Sequence, residues 1–253
     1  MASDGLIPQS ALRLAASDLD ALLLPDRGML GASLRHQGEE LLRRIDDLAA
    51  AAAKGSSTGI PLLHPWANRL AGPAYEAAGR RVTLDPASRL LHLDGNRLPM
   101  HGVGWAQLGW EVCEAKPERI AARLEWNRTV LVAGPEAPVP VSFGFHPYFG
   151  IPGLPRNSLL GERDFDDGFA LLEEPPAFSL AGAGREISLR FLCGYRYAQV
   201  FAPKDKEYVA IEPMTAPTNA LLSGRGLTLV KPGERFRTAF SITVQSIPAS
   251  ARP

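Results

Sequence analysis

Short alternating runs between closely spaced turn formers constrain this sequence more than any other feature. The chain has 24 glycines and 22 prolines in 253 residues, against an average share of about 12% for the two together. Dense turn residues suit many short strands. Ala11-Leu12-Arg13-Leu14-Ala15 alternates, Asp18-Leu19-Asp20-Ala21-Leu22 does so again, and Pro25-Asp26-Arg27-Gly28 reads as a turn. Gly31 to His36 gives a third strand, Gln37-Gly38 a hairpin turn and Glu39 to Leu42 a fourth strand. A helix over 39–54 competes with that fourth strand, because Ala49 to Ala53 has high helix propensity. Gly55-Ser56-Ser57-Thr58-Gly59 then reads as a flexible loop.

The same rhythm continues. Tyr75 to Leu84 forms a hairpin around Gly79, and Leu90 to Gly95 is a strand ending in an Asp-Gly turn. Trp110 to Glu114 and Arg119 to Trp126 make an antiparallel pair joined at Lys116-Pro117. Later strands are Tyr197 to Phe201, Glu207 to Ile211, Leu227 to Val230 and Phe236 to Val244, with Lys231-Pro232-Gly233-Glu234 turning between the last two. No fixed-period repeat and no linker is visible. The pattern predicts an all-β chain, a large antiparallel β-sandwich in one domain over 1–253 with its core at about 11–244.

Charge excludes several partners. Acids and bases balance at 27 each, so no long-range field draws the protein to nucleic acid or an anionic membrane. No segment approaches the ~20 apolar residues of a membrane span. The apolar stretch at Leu22-Leu23-Leu24 is short and follows Asp18 and Asp20, unlike a signal peptide. A soluble cytoplasmic protein, monomer or homodimer, is the expectation. Cys113 and Cys193 are expected as buried free thiols, with one disulfide as the other reading, and neither lies in a CxxC.

Four separated segments carry the residues able to do chemistry. They are His64-Pro65-Trp66-Ala67-Asn68-Arg69, Met100-His101-Gly102, Phe145-His146-Pro147-Tyr148-Phe149 and Ile211-Glu212-Pro213. Together they offer imidazole, guanidinium and carboxylate groups, the parts of general acid–base chemistry on a hydroxylated substrate. Glu212 ends an apolar strand before Pro213, which cannot continue a central ladder; a solvated strand-end acid is the plainer reading. His146 is flanked by aromatics, and a buried hydrogen-bonded core histidine is its alternative. Tyr148 and Phe149 could offer apolar faces to a sugar ring. Arg69 is a permanent donor, although Asn68-Arg69 is equally a turn with a surface arginine. His101 beside Gly102 and His64 beside Pro65 are weaker candidates. Asp166 and Asp167 read as turn acids, while Gln199 in an apolar strand needs partners if it faces inward. No metal-binding histidine spacing, serine elbow or phosphate-cradling glycine loop is present.

These segments, in this order, resemble the aldose 1-epimerase (galactose mutarotase) family from about Ala11 to Val244. Pro61 to Arg69 resembles its first sugar-contact segment and His101-Gly102 its second. His146-Pro147-Tyr148-Phe149 is the most specific match, and Glu212 takes the position of the family's base. The resemblance implies the galactose mutarotase-like supersandwich, with anomers of a free aldohexose interconverted without metal or cofactor. Glu212 would be general base and His146 general acid. Arg69 and His101 would position the sugar, Asn68 would support Arg69, and Asp166 and Gln199 would bind hydroxyls. The stretches Asn127 to Val141 and Phe149 to Asp166 are shorter than in larger members, which implies one or two missing hairpins. An epimerase for hexose 6-phosphates is an alternative, with Arg156, Arg163 and Lys204 as phosphate candidates. A non-catalytic sugar-binding protein is another, and a glycosidase using Asp166 and Glu212 a third.

Overall fold

The computed structural model describes residues 10–43, 45, 47–54, 56–128, 130–131, 136–150, 164–171, 175–182, 184–204 and 206–247. Among them the regular structure is almost entirely antiparallel strand, with short helices at Leu48–Ala53 and Ala220–Ser223. The central sheet has six strands, running Phe165–Ala170, Tyr197–Ala202, Val209–Met214, Gly144–Phe145 and Leu62–Leu63, with Tyr148–Phe149 also paired to Val209–Met214. A second sheet joins Ala177–Gly182, Arg185–Cys193 and Ala239–Ser246. A third joins the N-terminal strands Leu12–Ala16, Leu19–Leu24, Leu30–His36 and Glu39–Glu40.

Period-two alternation decides which side chains meet in the core. Ala198, Ala202, Val209 and Ile211 of the central sheet pack against Ile187, Leu189 and Phe191 of the second, closed by Leu34, Leu41, Leu42 and Phe149. The intervening residues Gln199, Ala210 and Glu212 therefore point to the opposite face of the central sheet. That face is walled by a second cluster around Trp66, Leu70, Tyr75, Val103 and Leu108. Isolated bridges sew the walls together, including His64 with Gly102, Trp66 with Ser142 and Arg69 with Met100.

Several expectations change. The fourth N-terminal strand stops at Glu40, and only the end of the competing helix forms, at Leu48–Ala53, capped by the Asp47 side chain on the Ala50 N–H. Thr58 and Gly59 do not belong to a loose loop. The Thr58 hydroxyl donates to the Arg43 carbonyl, and the Gly59 α-carbon lies so close to Gly31 that a β-carbon would stand 2.2 Å from its carbonyl oxygen. Asp166 and Asp167 lie inside the edge strand Phe165–Ala170, fully paired with Tyr197–Ala202. Pairing along a whole neighbouring strand overrides the local preference of Asp-Asp-Gly for a turn. Both cysteines are free, but exposed rather than buried. Arg156 and Arg163 lie outside the described residues, as does most of the segment between Phe149 and Asp166.

Candidate active site

Glu212 is not at a strand end. Its strand runs on through Pro213 to Met214 and pairs with Tyr197–Ala202 throughout. Pro213 is tolerated because its carbonyl points toward Gly144. On that side the residue opposite Pro213 is Phe145, the last before the ladder is interrupted, so the proline falls at the end of a short paired stretch. The interruption is His146-Pro147. With Gly144 opposite Met214 and Tyr148 opposite Ala210, the register sets His146 across from Glu212. On the other flank Gln199 is opposite Glu212, and Gly168 opposite Gln199. His146, Glu212 and Gln199 thus form one row across the sheet.

Contacts follow from that row. His146 Nε2 lies 3.1 Å from Glu212 Oε1, with side chains 4% and 2% exposed. Glu212 Oε2 and His146 Nδ1 are buried with no hydrogen-bond partner among the described residues. The imidazole stacks on Tyr148, centroids 4.0 Å apart at 19°, and meets the edge of His101 at 5.5 Å. Tyr148 and Phe149 are buried, so neither presents a face to a ligand. Burial, then the Glu212 carboxylate, pushes the Tyr148 phenol up and keeps it protonated. Gln199 Nε2 donates to Asp166 Oδ1 at 2.7 Å. Gly168 leaves room for that amide, since a β-carbon there would stand 3.2 Å from Gln199 Oε1.

The facing wall is built by left-handed residues. Asn68 has φ 57°, His101 φ 60° and Gly102 φ 69°. Asn68 and His101 lock to one another: the His101 N–H donates to the Asn68 carbonyl at 2.9 Å, and the Asn68 N–H donates to His101 Nδ1 at 3.2 Å. Accepting at Nδ1 leaves the ring proton on Nε2. Burial, then the nearby His146, His92 and Arg69, holds His101 well below the usual imidazole range, so it is a neutral donor. The Asn68 side chain accepts the Arg69 N–H at 2.8 Å. Arg69 Nε donates to Asp94 Oδ2 at 2.7 Å, and its Nη1 stands 3.8 Å from Asp166 Oδ2. Asn219 fixes the rim by two contacts: its N–H donates to the Arg69 carbonyl at 3.0 Å, and its Oδ1 accepts the Ala71 N–H at 2.8 Å.

Between these walls lies an open cleft of about 410 Å³ lined by Asn68, Arg69, Asp166, Gln199, Tyr197 and Thr218 among others. Glu212 and His146 do not line it; they adjoin it through Gln199 and Met214. His101 borders a separate, narrower cavity of about 160 Å³ beside His92 and Trp105. His64 joins neither; its ring packs edge-on to Trp126 at 4.4 Å. The sequence patterns missed Asp94, because a turn role accounts for it locally, and they missed Tyr148 as the plate behind His146. The cleft itself offers a guanidinium and an amide–carboxylate pair suited to a polyhydroxylated ring, and the buried acid–histidine pair lies directly behind them.

No protein-family model matches the chain, and no curated protein matches it. Solved structures do. A protein from Synechocystis sp. PCC 6803 shares 23% identity and a TM-score of 0.72, over 93% of this chain and 96% of that one. A galactose mutarotase-like protein from Clostridium acetobutylicum shares 16% at a TM-score of 0.66, over 93% and 95%. A GalM/aldose epimerase homologue from C. elegans shares 15% at 0.72, over 94% and 99%. The chain thus has the galactose mutarotase-like β-sandwich fold across nearly its whole length.

Proposed function

We propose that this protein interconverts the α and β anomers of a free aldohexose by acid–base ring opening and closure. The observation that carries the reading is the buried Glu212–His146 pair, in contact at 3.1 Å, each with a polar atom unpartnered among the described residues, beside a cleft lined by Asn68, Arg69, Asp166 and Gln199. Glu212 takes the proton of the C1 hydroxyl. The bond from C1 to the ring oxygen breaks, and His146 protonates that oxygen. The open aldehyde turns about its C1–C2 bond. On closure the C5 hydroxyl oxygen attacks the other face of C1, its proton returns to His146, and Glu212 gives its proton to the former carbonyl oxygen. Protons balance over the cycle, and a positioned acid and base each contribute about 10²–10⁴-fold.

The remaining groups hold the ring. Arg69 donates to hydroxyl oxygens, while Asp166 and the carbonyl of Gln199 accept from hydroxyls, and His101 backs the His146 ring. Asn68 keeps His101 in its donor tautomer. Gln199 lies between Asp166 and Glu212 in the sheet and gives its amide to Asp166, which argues against a glycosidase using those two acids as its pair.

Polarimetry tests the reading. Freshly dissolved α-D-glucose and α-D-galactose should approach equilibrium faster with wild type, and Glu212→Gln and His146→Asn should each lose about 10²–10⁴-fold of that acceleration. Sugar binding without acceleration would identify a non-catalytic binding protein instead. Acceleration confined to a hexose 6-phosphate would identify the phosphorylated substrate.

A further inference from the structure

Asp94 is a buried carboxylate whose two oxygens do different things. Oδ1 accepts the backbone N–H groups of Asn96 and Leu98, both at 2.9 Å, and closes the turn after Leu91–Leu93. Oδ2 leaves that turn and meets Arg69 Nε at 2.7 Å, 25 residues away in sequence. A turn acid needs only the first oxygen. The Asp94 side chain is 5% exposed, whereas that of Arg69 is 40% exposed and lines the cleft. Asp166 Oδ2, also on the cleft, is 3.8 Å from Arg69 Nη1, too long for a hydrogen bond yet within ion-pair range. Two carboxylates therefore compete for one guanidinium, and Asp94 holds it by the edge that does not face Asp166.

We propose that Asp94 is a positioning residue that, by gripping Nε, keeps Arg69 from folding onto Asp166 and so leaves both groups open to the hydroxyls of a bound sugar. This rests on the epimerase reading of the same cleft. A guanidinium released from Asp94 has about 1 Å to travel before it makes a charge-assisted pair with Asp166. In that pair each group satisfies the other instead of the ligand. Anchoring at one edge also orders a flexible side chain before binding, so less of the binding free energy is lost to ordering it.

A double-mutant cycle on mutarotation kinetics tests this, using Asp94→Asn, Arg69→Ala and the combination. Asp94→Asn keeps a carbonyl oxygen for the turn and places an amide where Arg69 Nε–H points. We expect KM to rise about 10-fold with kcat within about 2-fold, the signature of lost uniform binding. Because Asp94 acts through Arg69, the double variant should match Arg69→Ala alone within about 2-fold. Should Asp94→Asn fail to fold in urea titrations, Asp94→Ser, whose hydroxyl can still cap the turn, takes its place in the cycle. An unchanged KM, or effects that multiply, overturns the positioning role and leaves the epimerase reading intact. A wild type that neither accelerates mutarotation nor binds sugar overturns both.

Discussion

His64 provides a test of the structure that is independent of any ligand. Its ring packs against Trp126 and Phe143, and burial pushes the imidazole from an ordinary 6.5 down to about 4. A lowered histidine pKa means that the folded state resists the proton that the unfolded chain accepts. Folding stability from this residue is therefore intact above pH 6.5, declines as pH falls toward about 4, and changes no further below that. At about 1.4 kcal/mol per pH unit, the loss comes to about 3 kcal/mol, a ceiling because the ring keeps some accessible surface. Replacing His64 with Phe removes the titration and keeps an aromatic ring against Trp126. Whatever packing cost the substitution carries is independent of pH. Urea unfolding of both proteins at several pH values, from neutral down to about 4, gives the difference in stability at each. His101 and His92 titrate alike in both proteins and cancel. The difference should shift in favour of His64→Phe by up to about 3 kcal/mol as pH falls through the window. A difference constant within about 0.5 kcal/mol would refute the reasoning.

Other outcomes follow from single positions. Gly102 has φ 69°, and a β-carbon there would stand 2.3 Å from the His64 carbonyl oxygen, so Gly102→Ala should cost at least about 2 kcal/mol by urea unfolding and impair the proposed mutarotation by displacing the adjacent His101. Cys113 and Cys193 are exposed free thiols, so both should react with a chromogenic disulfide reagent in the native protein as completely as after denaturation. Tyr148→Leu removes the plate stacked on His146, and should lower kcat by about 10-fold or more while leaving KM nearly unchanged.

The sequence made some of this legible and hid the rest for physical reasons. The hairpin at Ala74–Ala77 and Arg80–Thr83 is readable because its turn is two residues, Ala78 and Gly79, both at positive φ. The hairpin Ala177–Gly182 with Arg185–Cys193 was not assigned, although Ile187, Leu189 and Phe191 alternate in the manner of a core strand. Gly144–Phe145 and Tyr148–Phe149 are too short to show a period. They exist because the longer strand Val209–Met214 pairs with both. Glu212 and His146 stood out through their rigid neighbours, but their contact depends on register between segments far apart in the chain. Asp94 was hidden for the opposite reason, since local turn chemistry already explained it.

The row from His146 through Glu212 to Gln199 makes the site all-or-none. Because neighbouring side chains on a strand face opposite ways, sliding Val209–Met214 by a single position would turn Ile211 or Pro213 toward the imidazole and bury the carboxylate in oil. If the proposed mutarotation is followed during refolding, its recovery should report closure of the central ladder in its native alignment and should not precede spectroscopic signals that also count misaligned sheets.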